Sequence, residues 1–468
     1  MTRIRFIASA IASAALIVTS LQAARPHYGG TIAMQTNDVV GSLDPSAVDA
    51  AGAATRERLL PLVFETLVTV DGAGGLRPLL ATAWEHDAQA RQWRFHLRPQ
   101  VVLHDRSILD APRVAAVLSA RERAWTVLAD GDGITIADER APADLPWAIA
   151  DSSHAIAIRT ASGALVGSGP FTLDRLEPAR IMLRAHDDYW GGRPFVDGVQ
   201  ISQGRPSRER LAGLESGRAD LAPVAPTDLR RLADRGLRTA ASRPLILYVL
   251  VFEPHRTQAP DDGLRTALAA SIDRAALSAV VLQRQAEPAD GLLPAWISGY
   301  EPLLGSTVRP ASPLRPAIMR QALVLRIDPG DPLARPIAER LAVDARARSL
   351  DVSVQAPVGL APRPDVRLVR VTLPATTPDR ALGVAMQAIG ARATAVPGGP
   401  PPPGSPLAIV FNVERSVLRY NTVIPVVHVD ELLGIGDRIE TWNEPSVSPS
   451  GAWNLASVWL RADRPASR

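Results

Sequence analysis

The sequence predicts an α/β or α+β fold of more than one lobe, on three observations. The chain has 468 residues, more than a single ordinary hydrophobic core organises. It is 46% hydrophobic and 21% charged, the balance of a globular chain and not of a disordered one. Strand and helix patterns also interchange along it from residue 30 to residue 358 instead of segregating.

In order, Gly30-Thr31-Ile32-Ala33-Met34 reads as a strand that runs into the polar turn Asn37-Asp38. Apolar residues at helical spacing over 50–67 predict a helix leading into Val63-Phe64-Glu65-Thr66-Leu67. Trp93, Phe95 and Leu97 alternate with Arg94, His96 and Arg98, the period of a half-buried strand. Helices follow over 111–125 and 207–217, with a strand-rich region over 171–183 between them. A continuous apolar strand is expected over 245–252 and a helix over 262–282. Residues 397–404, Pro-Gly-Gly-Pro-Pro-Pro-Pro-Gly, read as a linker.

Composition excludes several chemistries. There is no cysteine, so no thiol nucleophile, thiolate metal site or disulfide exists. There is no lysine either: all 51 basic residues are arginines, which rules out a lysine Schiff base and the lysine of a phosphate-binding loop. Net charge is only +3 and no basic block stands out, so nucleic acid is not an expected partner. The eight histidines are scattered without His-x-x-x-His spacing, and neither a metal nor a cofactor is expected. Gly167-Ser168-Gly169-Pro170 is a tight turn and not a nucleophile elbow. His104-Asp105 reads as a polar turn, Asp187-Asp188 and Asp261-Asp262 as capping or solvated acids; no catalytic constellation is present, and an enzyme is not expected.

At the amino terminus Arg3 and Arg5 precede an apolar run from residue 6 to residue 21, then Gln22-Ala23-Ala24. These are the parts of a secretory signal peptide, assigned to residues 1–23. The run is short and interrupted for a membrane anchor. With no cysteine to carry a lipid, the mature protein is expected free in a periplasm.

Several segments, in order, resemble the periplasmic oligopeptide-, dipeptide- and nickel-binding proteins, the extracellular solute-binding proteins of family 5 that serve ABC importers. They are Gly29-Gly30-Thr31-Ile32 with Ser42-Leu43-Asp44-Pro45, then Val63-Phe64-Glu65-Thr66-Leu67, Arg77-Pro78-Leu79-Leu80-Ala81 and Trp93 to Arg98. Gly167-Ser168-Gly169-Pro170-Phe171, Asp188-Tyr189-Trp190-Gly191-Gly192 and Leu214-Glu215-Ser216-Gly217 continue the series. It closes with Leu264-Arg265-Thr266-Ala267-Leu268, Ile272-Asp273-Arg274 and Gly291-Leu292-Leu293-Pro294. Most of these residues read as scaffold: Tyr189 and Trp190 as core aromatics, Arg265, Asp273 and Arg274 as a surface network.

The resemblance implies a two-lobed periplasmic-binding-protein fold (type II, large peptide-binding cluster) with an inserted subdomain. Lobe I would comprise 24–49, 166–244 and 429–468, the inserted subdomain 50–165, and lobe II 245–428. Hinge crossings are expected at 243–247 and 427–431. It further implies a monomer that closes on a small molecule or peptide and delivers it to an ABC permease in the inner membrane. Two departures stand out: a short stretch between Trp125 and Gly167, and a proline tract within 381–403 where the family carries folded, aromatic-containing sequence.

Expected ligand contacts are Asn37, Asp38 and Val40 at the end of the first strand, Arg121, Arg123 and Trp125 at a helix end, and Tyr420 with Asn421 near the second crossing. An arginine fork could hold a carboxylate while Trp125 stacks on an apolar group. The competing readings are a solvated turn for the first set and a surface helix with one buried tryptophan for the second. Trp442, Trp453 and Trp459 are expected in the core. Alternatives for the whole chain are a nickel-chelate binder, a degenerate cleft that binds a protein partner, and a secreted hydrolase.

Overall fold

A computed structural model of the chain describes residues 26–47, 52–71, 75–137, 145–253, 262–305, 322–356, 364–375, 377–390, 396, 398–402, 404–440 and 453–461. The proposed signal peptide, Trp442, Asp261 and parts of the proline tract lie outside them. Among the described residues no helix is long and apolar enough to cross a membrane.

One large mixed sheet runs through the molecule. Its strands are β1 (Thr31–Gln35), β2 (Phe171–Glu177), β3 (Arg180–Ala185), β4 (Gly198–Ser202), β5 (Leu221–Val224), β6 (Arg238–Phe252), β7 (Leu323–Arg326), β8 (Val352–Gln355), β9 (Val366–Thr372) and β10 (Val423–Ile435). They lie in the order β2-β3-β4-β1-β5-β10-β6-β9-β7-β8, and the short strand Ala286–Pro288 pairs with β10. A separate four-stranded sheet takes Ala81–Asp87, Gln92–Leu97, Gly133–Ala137 and Thr126–Asp130 in that order. Helices α1 (Ala53–Val63), α2 (Ala111–Arg121), α3 (Asp262–Ser271), α4 (Ala334–Arg346), α5 (Pro378–Ile389) and α6 (Leu407–Leu418) cover the sheets.

Each body has its own core. Ile32, Met34, Phe171, Ile201, Leu433 and Trp453 belong to the core around β1 to β5. Phe95, Val114, Leu118 and Ile136 hold the four-stranded sheet to α2. The apolar strand read over 245–252 is the inner half of β6, and both of its faces are buried. Ile246, Tyr248, Leu250 and Phe252 pack with α3 and α4, whereas Leu247, Val249 and Val251 pack against α5 and α6. Burial on both faces is why that stretch is apolar throughout instead of alternating.

The two lobes share β6 and β10, the longest strands. Arg238 to Ala241 pair with Ile435 to Leu432 in the first lobe, and Ile246 to Val251 pair with Val429 to Val423 in the second. Between them the register shifts on both sides of Pro244, which pairs with Asp430. Proline has no N–H to give the ladder and bulges bend a strand, so the ladder is weakest where the lobes meet. The segments 243–247 and 427–431 face each other at this break.

Local sequence misjudged three element ends. The helix over 50–67 ends at Val63, because Phe64 is extended (φ −126°, ψ 130°) and delivers Glu65 to partners elsewhere. The helix over 111–125 ends at Arg121; its start was legible, with the Asp110 carboxylate accepting from the Arg113 N–H and a proline in the first turn. The helix over 262–282 breaks after Ser271 and restarts where the Asp273 side chain accepts from the Ala276 N–H. Within 381–403 the first part is helix α5. Arg265 and Arg274 are no surface network: Arg265 is 7% exposed and donates to the Tyr420 carbonyl, and Arg274 donates to the Ala289 and Pro425 carbonyls.

Candidate ligand-binding cleft

Among the described residues two cavities lie between the lobes, and Trp453 lines both. The first, of about 600 Å³, has charged residues among its walls. It is lined by five arginines (Arg58, Arg210, Arg326, Arg367, Arg370) and five acids (Asp38, Asp328, Asp331, Asp430, Glu431). The chain places them by simple means. Asp38 follows β1 and is held by Thr55 of α1, whose hydroxyl donates to Oδ2 at 2.7 Å, and by the Asn37 amide, which donates to Oδ1 at 2.7 Å. Arg58, one helical turn on from Thr55, forms an ion pair of 2.5 Å with Glu431 of β10, across the lobes' shared ladder. Tyr248 of β6 donates to Asp331 at 2.8 Å. Arg370 stands beside it on β9.

Arg370 feels burial, which lowers its pKa, and the nearby oxygens of Tyr248, Asp331, Glu431 and Asp38, which raise it; the net is a rise, so it stays charged. It is nevertheless exposed along its side chain. A side chain with protein on most sides and open access on one is what a cleft wall presents to a ligand. Burial, and the neighbouring charge of Glu287, push the Asp430 carboxyl up to about 6. Arg210 is spent on the Pro223 and Arg205 carbonyls. The side chains of Arg58 and Glu431 are only 6% and 12% exposed. Replacing Arg58 with alanine leaves Glu431 buried and unpaired, and is expected to lower stability by about 2 kcal/mol, read from the urea midpoint.

The second cavity, of about 580 Å³, is mainly apolar. Trp147 and Tyr189 line it from one side, Trp296, Pro374 and Pro378 from the other. Beside it, the Arg380 guanidinium of α5 pairs with the cavity-lining Asp151 and donates to the Ser153 hydroxyl at 2.6 Å. Glu65 sits in its wall, 3% exposed, accepting from Ser168, Tyr189 (2.8 Å) and Trp190 (2.9 Å). Burial pushes its carboxyl up to about 6 against those three donors. The Tyr189-Trp190 pair is thus tied to Val63-Phe64-Glu65.

The structure gathers few of the residues expected to touch ligand. Asn37 and Asp38 line the first cavity. Val40 is 2% exposed; its N–H donates to Gln203 and its side chain joins the first lobe's core. Arg121 donates to the Ser153 and Ala155 carbonyls, Arg123 is exposed, and Trp125 stacks on His154 at 5.1 Å. None of these three lines either cavity. Tyr420 and Asn421 line a third cavity with Thr266, to which the Asn421 amide donates at 3.2 Å. Sequence reasoning missed Arg58, Tyr248, Asp331, Arg370 and Glu431. The available signal was a charged or hydroxylated residue inside an otherwise apolar strand run, as in Val-Arg-Leu-Val-Arg-Val-Thr over 366–372. His104 and Asp105 form no catalytic pair: His104 bonds the Gly169 carbonyl and is pushed down to about 4 by burial, while Asp105 accepts from Ser107.

Residues 139–316 match the profile of bacterial extracellular solute-binding proteins, family 5, middle segment. The chain is 27% identical over 138 residues to the dipeptide-binding protein of Escherichia coli K12, covering 29% of this chain and 26% of that protein. It is 24% identical over 263 residues to the nickel-binding periplasmic protein of the same strain, covering 49% and 50%. Aligned stretches thus span about a quarter to a half of these curated relatives. The dipeptide-binding protein from Pseudoalteromonas sp. SM9913, solved with Met-Leu, superposes with a TM-score of 0.72 at 14% identity, covering 92% of this chain and all of that one. Together they give this chain the two-lobed fold of periplasmic binding proteins, and homologues that are solute-binding proteins.

Proposed function

We infer that this chain, a family 5 solute-binding protein by its middle segment and its two-lobed fold, is the capture component of an ABC-type importer with a small peptide-like solute as ligand. The observation that carries this reading is the first cavity. Its charged walls come from both lobes, and the lobes are joined through a ladder broken at Pro244. A ligand that touches both walls gains contacts only in the closed state, and so drives closure. The charges of the cavity outside the Arg58–Glu431 and Arg367–Glu253 pairs, Arg370 and Asp430 among them, suit a small zwitterion, whose two charges find partners without net charge being buried.

The convergence of polar groups also favours a solute over a protein partner, because an interface core is depleted in charge. The same reading has residues 1–23 direct export to the periplasm, a permease in the inner membrane as the docking partner, and no catalytic step.

Small-angle scattering of the purified protein, with and without a mixed di- and tripeptide pool, tests closure. A fall in radius of gyration on adding the pool, with a bound mass of a few peptide residues in native mass spectrometry, is expected. An unchanged radius and an unchanged apo mass would sink the reading.

A further inference from the structure

The apolar cavity contains one group that the fold leaves uncompensated. Glu57 lines it from α1, and among the described residues its carboxylate has neither a hydrogen-bond donor nor an ion-pair partner. Three neighbouring arginines act on it without an ion pair to it among the described residues. Arg58 pairs with Glu431, Arg380 with Asp151 and Ser153, and Arg56 forms no ion pair with Glu57. Burial, with the Asp151 charge adding to it, raises the Glu57 carboxyl above the ordinary range despite those arginines. A carboxylate facing an apolar space without a donor is destabilising unless something cationic meets it.

The remaining walls say what kind of cation. Trp147, Tyr189, Trp296 and Trp453 are contributed by four separated segments, and the Tyr189 and Trp296 polar atoms are already satisfied by Glu65 and the Pro244 carbonyl. What these residues offer the cavity is ring surface. Aromatic faces attract ammonium groups and also bury an apolar body. A volume of about 580 Å³ is that of a small-molecule site.

We propose that the apolar cavity is a subsite for an arylalkyl- or alkylammonium group, with the ammonium on Glu57 and the apolar body against the tryptophans. This rests on the solute-binding reading and adds to it: whatever the arginine-lined cavity holds, the part of the ligand reaching past Trp453 is a hydrophobic amine. The cation supplies the partner that Glu57 lacks, and closure of the lobes removes water from around the pair.

The test is calorimetric titration of the purified full chain with three probes: 2-phenylethylammonium, its neutral N-acetyl derivative, and ethylammonium. The charged aromatic probe should bind at least about tenfold more tightly than either of the others. Glu57→Gln should remove that advantage over the N-acetyl probe, and Trp296→Leu the advantage over ethylammonium. Equal binding of the charged and neutral aromatic probes overturns the proposal without needing any variant. So does an absence of binding up to about 10 mM, the weak end for a fragment of this size. The peptide pool run in parallel separates the two claims. Binding of peptides without preference for the charged aromatic probe defeats only the subsite, whereas binding of neither defeats the solute-binding reading as well.

Discussion

Replacing Glu414 with leucine is expected to lower the unfolding free energy by about 3–5 kcal/mol. Glu414 is fully buried on α6, and its carboxylate accepts from the Leu292 and Leu293 N–H groups and, at 2.6 Å, from the Tyr300 hydroxyl. Leucine fills similar space but leaves three buried donors without an acceptor. The effect should depend on pH in a defined direction. Burial raises the Glu414 carboxyl to about 7, above its ordinary 4.5. A raised acid contributes stability that is fully present below about 4.5 and is lost as pH rises through about 7. Leucine has no such contribution, so the gap between wild type and variant should narrow from pH 5 to pH 8. Urea unfolding at several pH values reads this, and a gap that stays constant or widens contradicts the assignment.

The same cluster extends to the lobe junction. His428 lies on β10, fully buried, with Nε2 bonded to the Leu292 carbonyl and Nδ1 3.4 Å from Glu301. Donation from Nε2 fixes the neutral tautomer and turns the Nδ1 lone pair toward Glu301. Burial raises Glu301 to about 7 and lowers His428 to about 4, so a protonated Glu301 facing a neutral imidazole is the stable arrangement. The His428 contribution has the opposite sign: it is present above about 6.5 and is lost as pH falls toward 4. Comparing wild type with the Glu414 variant cancels it.

Replacing Gly167 with alanine should be about as damaging, with a loss of about 3–4 kcal/mol or failure to fold. A Cβ there would lie 2.1 Å from the Val63 carbonyl oxygen and 2.6 Å from the Phe64 ring. Backbone occupies that space, so no rotamer change relieves it. Gly169 meets the same segment, 2.7 Å from the Val63 carbonyl carbon. Between them Ser168 donates to Glu65, and the Gly169 N–H donates to the Val63 carbonyl at 3.0 Å. The turn therefore presses the end of α1 against the first lobe and sets the wall that carries Glu65. Thermal unfolding checks the prediction, and Ser168→Ala, which removes one hydrogen bond without a clash, should be several-fold milder.

Much of this was legible because it rests on short-range pattern. Alternation in 93–97, the capping aspartate before 111 and the apolar run in 245–252 each report a local period or a local hydrogen bond. The Gly-Ser-Gly-Pro segment was legible as a tight turn, though not the Val63 backbone it presses on. Ligand contacts were not legible in the same way. Arg121 and Trp125 have the chemistry of a binding pair, yet Arg121 serves carbonyls over thirty residues away and Trp125 stacks on His154. Nothing within a few residues of either records those partners.

By itself, then, the sequence determined the class of fold, the family resemblance and the absence of thiol and lysine chemistry, since periodicity, turn residues and composition act locally or over the whole chain. The tertiary structure alone decided which residues form the cleft. Asp38, Arg58, Tyr248, Asp331, Arg370 and Glu431 are spread over nearly four hundred positions and meet only because β1, α1, β6, β9 and β10 converge at the break beside Pro244. A site assembled from segments so far apart leaves no spacing in the sequence, because the distances that matter are set by sheet order and not by chain order.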